Sequence, residues 1–493
     1  MNQKNREINI PRNWAKGSKV VKTILLAAFV GFGFQNSSHA SAGKAWDVLV
    51  RSKGSVKYYP QVVNELLKDE LYFTSIPYLK EYLSVHKGRL PKEVDSLVDR
   101  VVTKVGVRQF EVLPTSILKR TSAPVIKYIL AKKQFRVGRY KKALQTLNGT
   151  IPGNHPVKPF ALMLEGTIFS IEGDGKNARA SFQNCIETTK SEMNNTSDEN
   201  RLRQLAINRD YCTVGVARSE FEDKKFDDAS LSYLDLPKDS YVWPEILFEE
   251  AWNSFYLRDY NRTLGKLVTY KAPILNFVFN PEVDVLKALT YMELCLFDDA
   301  KKVVDDFYNE YQTDSLAVKK FLEKYGRNYK YFYLLAKSRT NGKSGGSRLL
   351  NKLIDTTLKD AAFIELIDSF NIGRDEIEQV KGISNSRMRK VFTTNLREAL
   401  LLQRDLIGAY VRKNLHLYVS QLDKSFEGMT YIKLEVLGRK KQRVYSYNSF
   451  GKRNRGDIKY LQRNEKQYFW SFNGEFWADE LGDYVFSLKS ECE

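Results

Sequence analysis

One spacing, recurring from about residue 127 to 311, constrains this chain more than anything else in it. A small residue on one helical stretch is followed 12 residues later by a second small residue or a threonine. Ala131, Gly166, Ala217, Ala251 and Ala288 form the first set; Ala143, Ala178, Ala229, Thr263 and Ala300 form the second. Successive units start 35, 51, 34 and 37 residues apart, which brackets the roughly 34-residue period of one class of two-helix repeat. Small side chains at both positions let two paired helices approach closely, and in the second unit Phe169 and Phe182 are placed to fill the space around that contact. Stacked hairpins of this kind build a curved surface suited to holding other proteins.

The segments between the paired positions read as turns: Gly138-Arg139-Tyr140, Gly173-Asp174-Gly175, Lys224-Lys225-Phe226, Arg258-Asp259-Tyr260 and Leu296-Phe297-Asp298. In four of them an aromatic (Tyr140, Phe226, Tyr260, Phe297) stands three residues before the second small position. One helical turn further on come Leu147, Phe182, Tyr233, Leu267 and Val304, an apolar series in matching phase. Pro152, Pro156, Pro237, Pro244, Pro273 and Pro281 fall between units, where they end one hairpin or open the next. The 51-residue step holds a polar insertion, Glu187 to Arg209, that either lengthens two helices or forms a loop.

Trp243-Pro244-Glu245, Phe248-Glu249-Glu250-Ala251-Trp252, Asp259-Tyr260, Leu264-Gly265 and Asn280-Pro281-Glu282 resemble tetratricopeptide-repeat proteins secreted by gliding and predatory Gram-negative bacteria. Some of those belong to the envelope machinery of adventurous gliding motility. The run Gly474-Glu475-Phe476-Trp477-Ala478-Asp479-Glu480-Leu481-Gly482-Asp483-Tyr484 resembles the closing motif of the same group. Thr263 at a second small position and Gly175 in place of an aromatic depart from the pattern. The expected fold is all-α: a tetratricopeptide-repeat superhelix over 127–312, an N-terminal helical region over 43–126, a helical extension over 313–437, and a basic stretch with a small aromatic, β-containing cap over 438–493.

The N-terminus predicts export. Lys4, Arg6, Arg12, Lys16, Lys19 and Lys22 precede an uncharged, mostly apolar run from Thr23 to Phe34, and Ser38-His39-Ala40 and Ala40-Ser41-Ala42 offer small residues for cleavage. Twelve helical residues span roughly 18 Å against the roughly 30 Å of a bilayer core, so a signal peptide over 1–40 is favoured over an anchor. Its loss removes six basic residues and Glu7, taking the formal charge from +19 to about +14. A mature chain this basic favours acidic partners, and a periplasmic setting argues against nucleic acid. Such a compartment permits disulfides. Cys185 and Cys212 fall on helices that a stacked array makes neighbours, so a bridge there is one reading and small buried apolar residues the other.

Beyond the array, Ser338 to Ser347 is a small-residue linker. Within 392–437, Val411, Leu415, Tyr418, Leu422, Phe426, Met429, Ile432 and Val436 form an apolar stripe that fits either packing within the chain or a homodimeric coiled coil. Arg439, Lys440, Lys441, Arg443, Lys452, Arg453 and Arg455 then follow with no acidic residue among them, either a solvated loop or an anchor for an anionic envelope surface. Tyr468, Trp470 and Phe472 alternate, Glu475 to Leu481 suits a short helix stopped by Gly482, and Tyr484, Phe486 and Leu488 alternate again.

Catalytic patterns fail. His86, His155 and His416 have no ligand spacing, and Gly342-Lys343-Ser344 lacks the earlier glycine of a phosphate loop, where Lys337 stands. There is no Gly-x-Ser-x-Gly elbow. Glu475, Asp479, Glu480 and Asp483 leave open a carboxylate pair acting on peptidoglycan, as a wall enzyme or its activator. The leading expectation is a non-enzymatic periplasmic scaffold without cofactor or metal that holds protein partners in a cell-envelope complex. Glu249, Asn253, Tyr256, Arg258 and Tyr291 are the expected groove residues.

Overall fold

All ten small-residue positions are buried where the two helices of a hairpin meet. The computed structural model describes residues 40–445, residue 458 and residues 461–492, so the leader expected over 1–40 lies, but for Ala40, outside the described residues. The hairpins are α7 (Pro124–Arg136) with α8 (Tyr140–Leu147), α9 (Lys158–Ile171) with α10 (Gly175–Met193), and α11 (Glu199–Glu222) with α12 (Phe226–Tyr233). They continue as α13 (Trp243–Tyr256) with α14 (Tyr260–Thr269) and α15 (Glu282–Glu293) with α16 (Phe297–Tyr325). Helices α1 (Ala40–Arg51), α2 (Tyr59–Lys68), α3 (Tyr72–Val85), α4 (Lys92–Val105), α5 (Arg108–Glu111) and α6 (Thr115–Leu118) precede them. Following them are α17 (Tyr329–Thr340), α18 (Arg348–Lys359), α19 (Ala361–Lys381) and the 60-residue α20 (Ser386–Tyr445).

Every hairpin turn is made the same way. Gly138, Gly173, Lys224, Arg258 and Cys295, each five residues before the second small position, have positive φ. The next residue's N–H reaches back across the turn in each: Arg139 to Gln134, Asp174 to Phe169, Lys225 to Glu220, Asp259 to Ser254 and Leu296 to Tyr291, all at 2.8–2.9 Å. That bond satisfies a carbonyl that the end of a helix would otherwise leave open. The 187–209 insertion lengthens α10 and α11 on either side of a short loop, and a Cys185–Cys212 disulfide ties the two helices together, Cα to Cα 6.2 Å.

Phe182 of α10 wedges between two first helices. A Cβ on Gly166 would stand 2.7 Å from its ring, and one on Gly215 2.6 Å. Gly215→Ala is therefore expected to destabilise the protein by about 2 kcal/mol, the usual cost of overpacking a core. In a Phe182→Leu background the same substitution should cost markedly less, and equal costs in both backgrounds in a denaturant melt would disprove the wedge.

The helices after the array fold back over it. On α20 the apolar stripe is covered by this chain's own helices: Val411, Leu415, Leu422 and Met429 are fully buried, and Phe426 packs on Phe307 with centroids 5.0 Å apart. Coiled-coil pairing through that stripe is excluded by this packing. Val380, Ile383, Phe392, Leu396 and Leu400 of α19, α20 and the turn between them share one core with α1–α4 and α7, so the N-terminal region is clamped by the C-terminal helices. Residues 338–347 do not separate domains. Residues 338–340 end α17 and 341–347 form a tight turn in which Gly345 N–H donates to Asn351 Oδ1 at 2.7 Å, inside one compact unit spanning Ser41–Glu493.

Two further differences lie near the C-terminus. The basic stretch does not begin as a loop, because α20 runs on to Tyr445. Residues 475–477 are irregular and 478–482 form a turn, with no helix. Strands β1 (Trp470–Ser471) and β2 (Tyr484–Val485) pair in parallel and are the only strands among the described residues. This segment lies on α14: Phe486 N–H donates to Asn261 O, Leu488 N–H to Asn261 Oδ1, and Gly265 has no Cβ to block the Tyr484 carbonyl. Cys492 is bonded to Cys295 in the fifth hairpin turn. No helix among the described residues is long and apolar enough to cross a membrane.

Candidate functional site

The first helices α9, α11 and α13 stand side by side, and their matching positions line one surface. Counted from each first small residue, the next position carries Thr167, Arg218 and Trp252, and the fifth carries Ile171, Glu222 and Tyr256. A depression of about 300 Å³ lies between α9 and α11, lined by Met163, Thr167, Ser170, Ile171, Tyr211 and Arg218 over the Phe182 ring. Ile171 and Tyr256 are 51% and 54% exposed, high for such large apolar groups on a packed helix layer.

Polar pairs bridge one repeat to the next at this surface. Arg218 Nε donates to Glu249 Oε2 at 2.9 Å, and the same carboxylate oxygen accepts from the Tyr233 hydroxyl at 3.1 Å. Ser170 Oγ donates to Glu222 Oε2 at 2.9 Å, and the Tyr211 hydroxyl to Glu245 Oε1 at 3.2 Å. Glu245 keeps contact with solvent, yet desolvation by the protein around it and then the Asp360 carboxylate raise its carboxyl to about 7. Asp360 caps α19, accepting from Ala362 N–H at 2.8 Å and from the Tyr410 hydroxyl of α20 at 2.6 Å.

That carboxylate marks where the surface is closed by the chain itself. Arg203 of α11 is ion-paired with Asp368 of α19, and Thr356 Oγ1 of α18 donates to the Phe277 carbonyl at 2.5 Å. The N-terminal end of α11 and the segment before α15 are thus met by α19 and α18, while toward the C-terminal ends of α9 and α13 Thr167 and Trp252 are half-exposed and Ile171 and Tyr256 exposed.

Of the residues expected from sequence to line a groove, Glu249 and Tyr256 lie on this open surface, Tyr256 stacked on Phe226 with centroids 5.4 Å apart. Asn253 is a correction: it is 2% exposed, and its amide donates to the Phe226 carbonyl at 2.8 Å, which locks α13 to the preceding turn. Arg258 is the positive-φ residue of its turn, exposed at the rim. Tyr291 is half-buried with Leu294, Leu296 and Phe486, beside the C-terminal segment. Sequence reasoning missed Thr167, Ile171, Tyr211, Arg218 and Glu222. The small-residue register already held all of these but Tyr211, since each falls one or five positions after Gly166 or Ala217.

Within the basic stretch, Arg439 pairs with Glu435 at 2.7 Å and Lys440 with Asp298. The side chains of Lys441 and Arg443, with Lys452, Arg453 and Arg455, lie outside the described residues. Glu475 and Asp479 are exposed, while Asp483 is paired with Lys238 at 2.8 Å. No group of three or more His, Cys, Asp or Glu with metal-binding geometry occurs among the described residues. Compared with protein-family models and with curated proteins, the chain gives no match.

Proposed function

We propose that this protein is a non-enzymatic tetratricopeptide-repeat scaffold of a bacterial periplasm that holds protein partners in a cell-envelope complex, such as one serving gliding motility or predation. The observation that carries the reading is the register: five hairpins share one turn, α9, α11 and α13 present matching positions on one face, and that face is open at Thr167, Ile171, Trp252 and Tyr256. Because α18 and α19 meet its other end, the partner is a short segment lying across three repeats. Two disulfides joining all four cysteines fit an oxidising compartment. The C-terminal strands and aromatic cluster serve as a cap on the α14 side, and Arg439 to Arg455 hold the scaffold near an anionic surface.

A photo-crosslinking residue at Ile171, installed in the protein in its native envelope, tests this. A protein adduct of defined mass is expected from Ile171 and not from Lys142 on the second helix of the first hairpin. Arg218→Glu, which breaks the pair with Glu249, should reduce the adduct by about tenfold. Recovery of wall fragments alone, undiminished by Arg218→Glu but lost in a Glu475→Gln, Asp479→Asn, Glu480→Gln variant, would favour action on peptidoglycan instead.

A further inference from the structure

A cleft larger than the depression between α9 and α11 lies away from the repeat face, where α1, α3 and α20 meet. It has a volume of about 710 Å³, within the range of pockets that enclose small molecules. Its apolar wall is unusually open: Val50 is 56% and Val391 38% exposed, and Trp46 stands half-buried beside them. Pro77 lies in the same wall, inside α3. A proline there removes the bond to the Phe73 carbonyl and costs about 3 kcal/mol in an ordinary helix.

The polar groups of the cleft are sorted by depth. Lys80 is held from behind: its Nζ donates to Gln109 Oε1 at 3.0 Å, and Gln109 is fixed by Gln403 Oε1 at 3.0 Å and the Ala399 carbonyl at 3.1 Å. One of its three donors is used there, and it forms no ion pair with a described residue. Burial lowers its ammonium to about 8, only partly offset by Glu398. Tyr78, 5% exposed, stands in the same wall with its hydroxyl turned into the protein toward Asn395. Beyond Gln109 the ammonium meets only the Phe110 ring, 5.4 Å away, and the longer-range Glu398 charge, so an anionic acceptor entering the cleft would complete its hydrogen bonds. At the rim the order reverses, with Glu81 and Glu398 both exposed.

We propose that this cleft binds a free amino acid or short peptide with a bulky apolar side chain, its carboxylate at Lys80 and its ammonium at Glu81 and Glu398. The apolar side chain lies against Trp46, Val50 and Val391. A plain fatty or aromatic acid meets the two rim carboxylates with nothing to offer them, and an uncharged sugar leaves Lys80 unpaired. Both are disfavoured on that ground.

Titration calorimetry of the purified protein separates these ligands. Leucyl-phenylalanine is the probe, with N-acetyl-leucyl-phenylalanine amide and chitotriose as comparisons. Saturable binding of the free dipeptide is expected, weakened about tenfold by blocking both its ends. Lys80→Met should weaken the free dipeptide by a similar factor without moving the blocked one, and Glu398→Gln, at an exposed position that folding tolerates, should act in the same direction. Equal binding of free and blocked dipeptide, preference for chitotriose, or no heat of binding up to about 10 mM would each overturn the proposal.

Discussion

Gly408→Ala is expected to cost the protein about 3 kcal/mol or more, enough to be the most damaging single-methyl change in α20. Gly408 lies at mid-helix, and a Cβ there would stand 1.9 Å from the Tyr329 carbonyl oxygen and 2.7 Å from its carbon. The obstacle is backbone at the first turn of α17, held in place by the Asn328 cap on Tyr331 N–H. Arg412 Nε, one turn along α20, also donates to the neighbouring Gly326 carbonyl. No rotamer change relieves such a contact, so α17 and α20 must separate, and the overpacking range of 1–3 kcal/mol is a lower guide. The same helix supplies a control. Gly438 has nothing within 4 Å of a Cβ, so Gly438→Ala should stabilise by about 0.5–1 kcal/mol through helix propensity alone. Denaturant midpoints of the two variants should move in opposite directions. A Gly408→Ala protein as stable as wild type would mean that α17 and α20 do not meet as described.

Gly408 also illustrates what sequence hides. The small residues of the hairpins were legible because they recur, and recurrence separates a constraint from chance. Gly408 occurs once inside a helical pattern, where a lone glycine reads only as a mild weakness. Lys224 and Arg258 were read within turns but not as their positive-φ residues, and Cys295 was left out of its turn, for a related reason. The turn position was visible through Gly138 and Gly173, but Lys, Arg and Cys carry no signal for positive φ, and here the hydrogen bond across the turn imposes it. The pairing of Cys295 with Cys492 joins positions 197 residues apart, and no local pattern encodes it.

The candidate surface shows the same division. Its chemistry was written in the register, because Thr167, Arg218 and Trp252 fall at one offset. Its extent was not. That α18 and α19 return to meet its other end depends on contacts such as Arg203 with Asp368, 165 residues apart. The apolar stripe of α20 was correctly seen as needing a partner, and a periodic stripe does not say whether that partner is the same chain.

Glu376 is the second position where a large effect is expected, and its effect depends on pH. The carboxylate sits on α19, 2% exposed, and accepts from Phe73 N–H at 2.6 Å, Thr74 N–H at 3.0 Å and the Thr74 hydroxyl at 3.0 Å. These are open donors of the first turn of α3, whose own N-cap, Leu71, has no side chain to satisfy them. Glu376→Ala strands three donors in a dry contact, at about 1–3 kcal/mol each, and is expected to loosen the N-terminal block from α19 with a total loss near 4 kcal/mol. Burial outweighs the hydrogen bonds to the carboxylate and lifts its pKa from the ordinary 4.5 to about 7. The folded protein therefore holds this proton more tightly than the unfolded chain does. The stability it contributes is complete below pH 4.5 and is lost as pH rises through 7, by about 3 kcal/mol in all. Glu376→Gln keeps the shape and one acceptor but does not titrate. Its deficit relative to wild type should be largest near pH 5 and should shrink by about 3 kcal/mol by pH 8. Unfolding both proteins in urea across that range measures the difference directly. A constant gap would show that the α3 cap is equally good with the carboxyl charged or neutral, and a gap that widens with pH would show that the hydrogen bonds, rather than burial, control its proton.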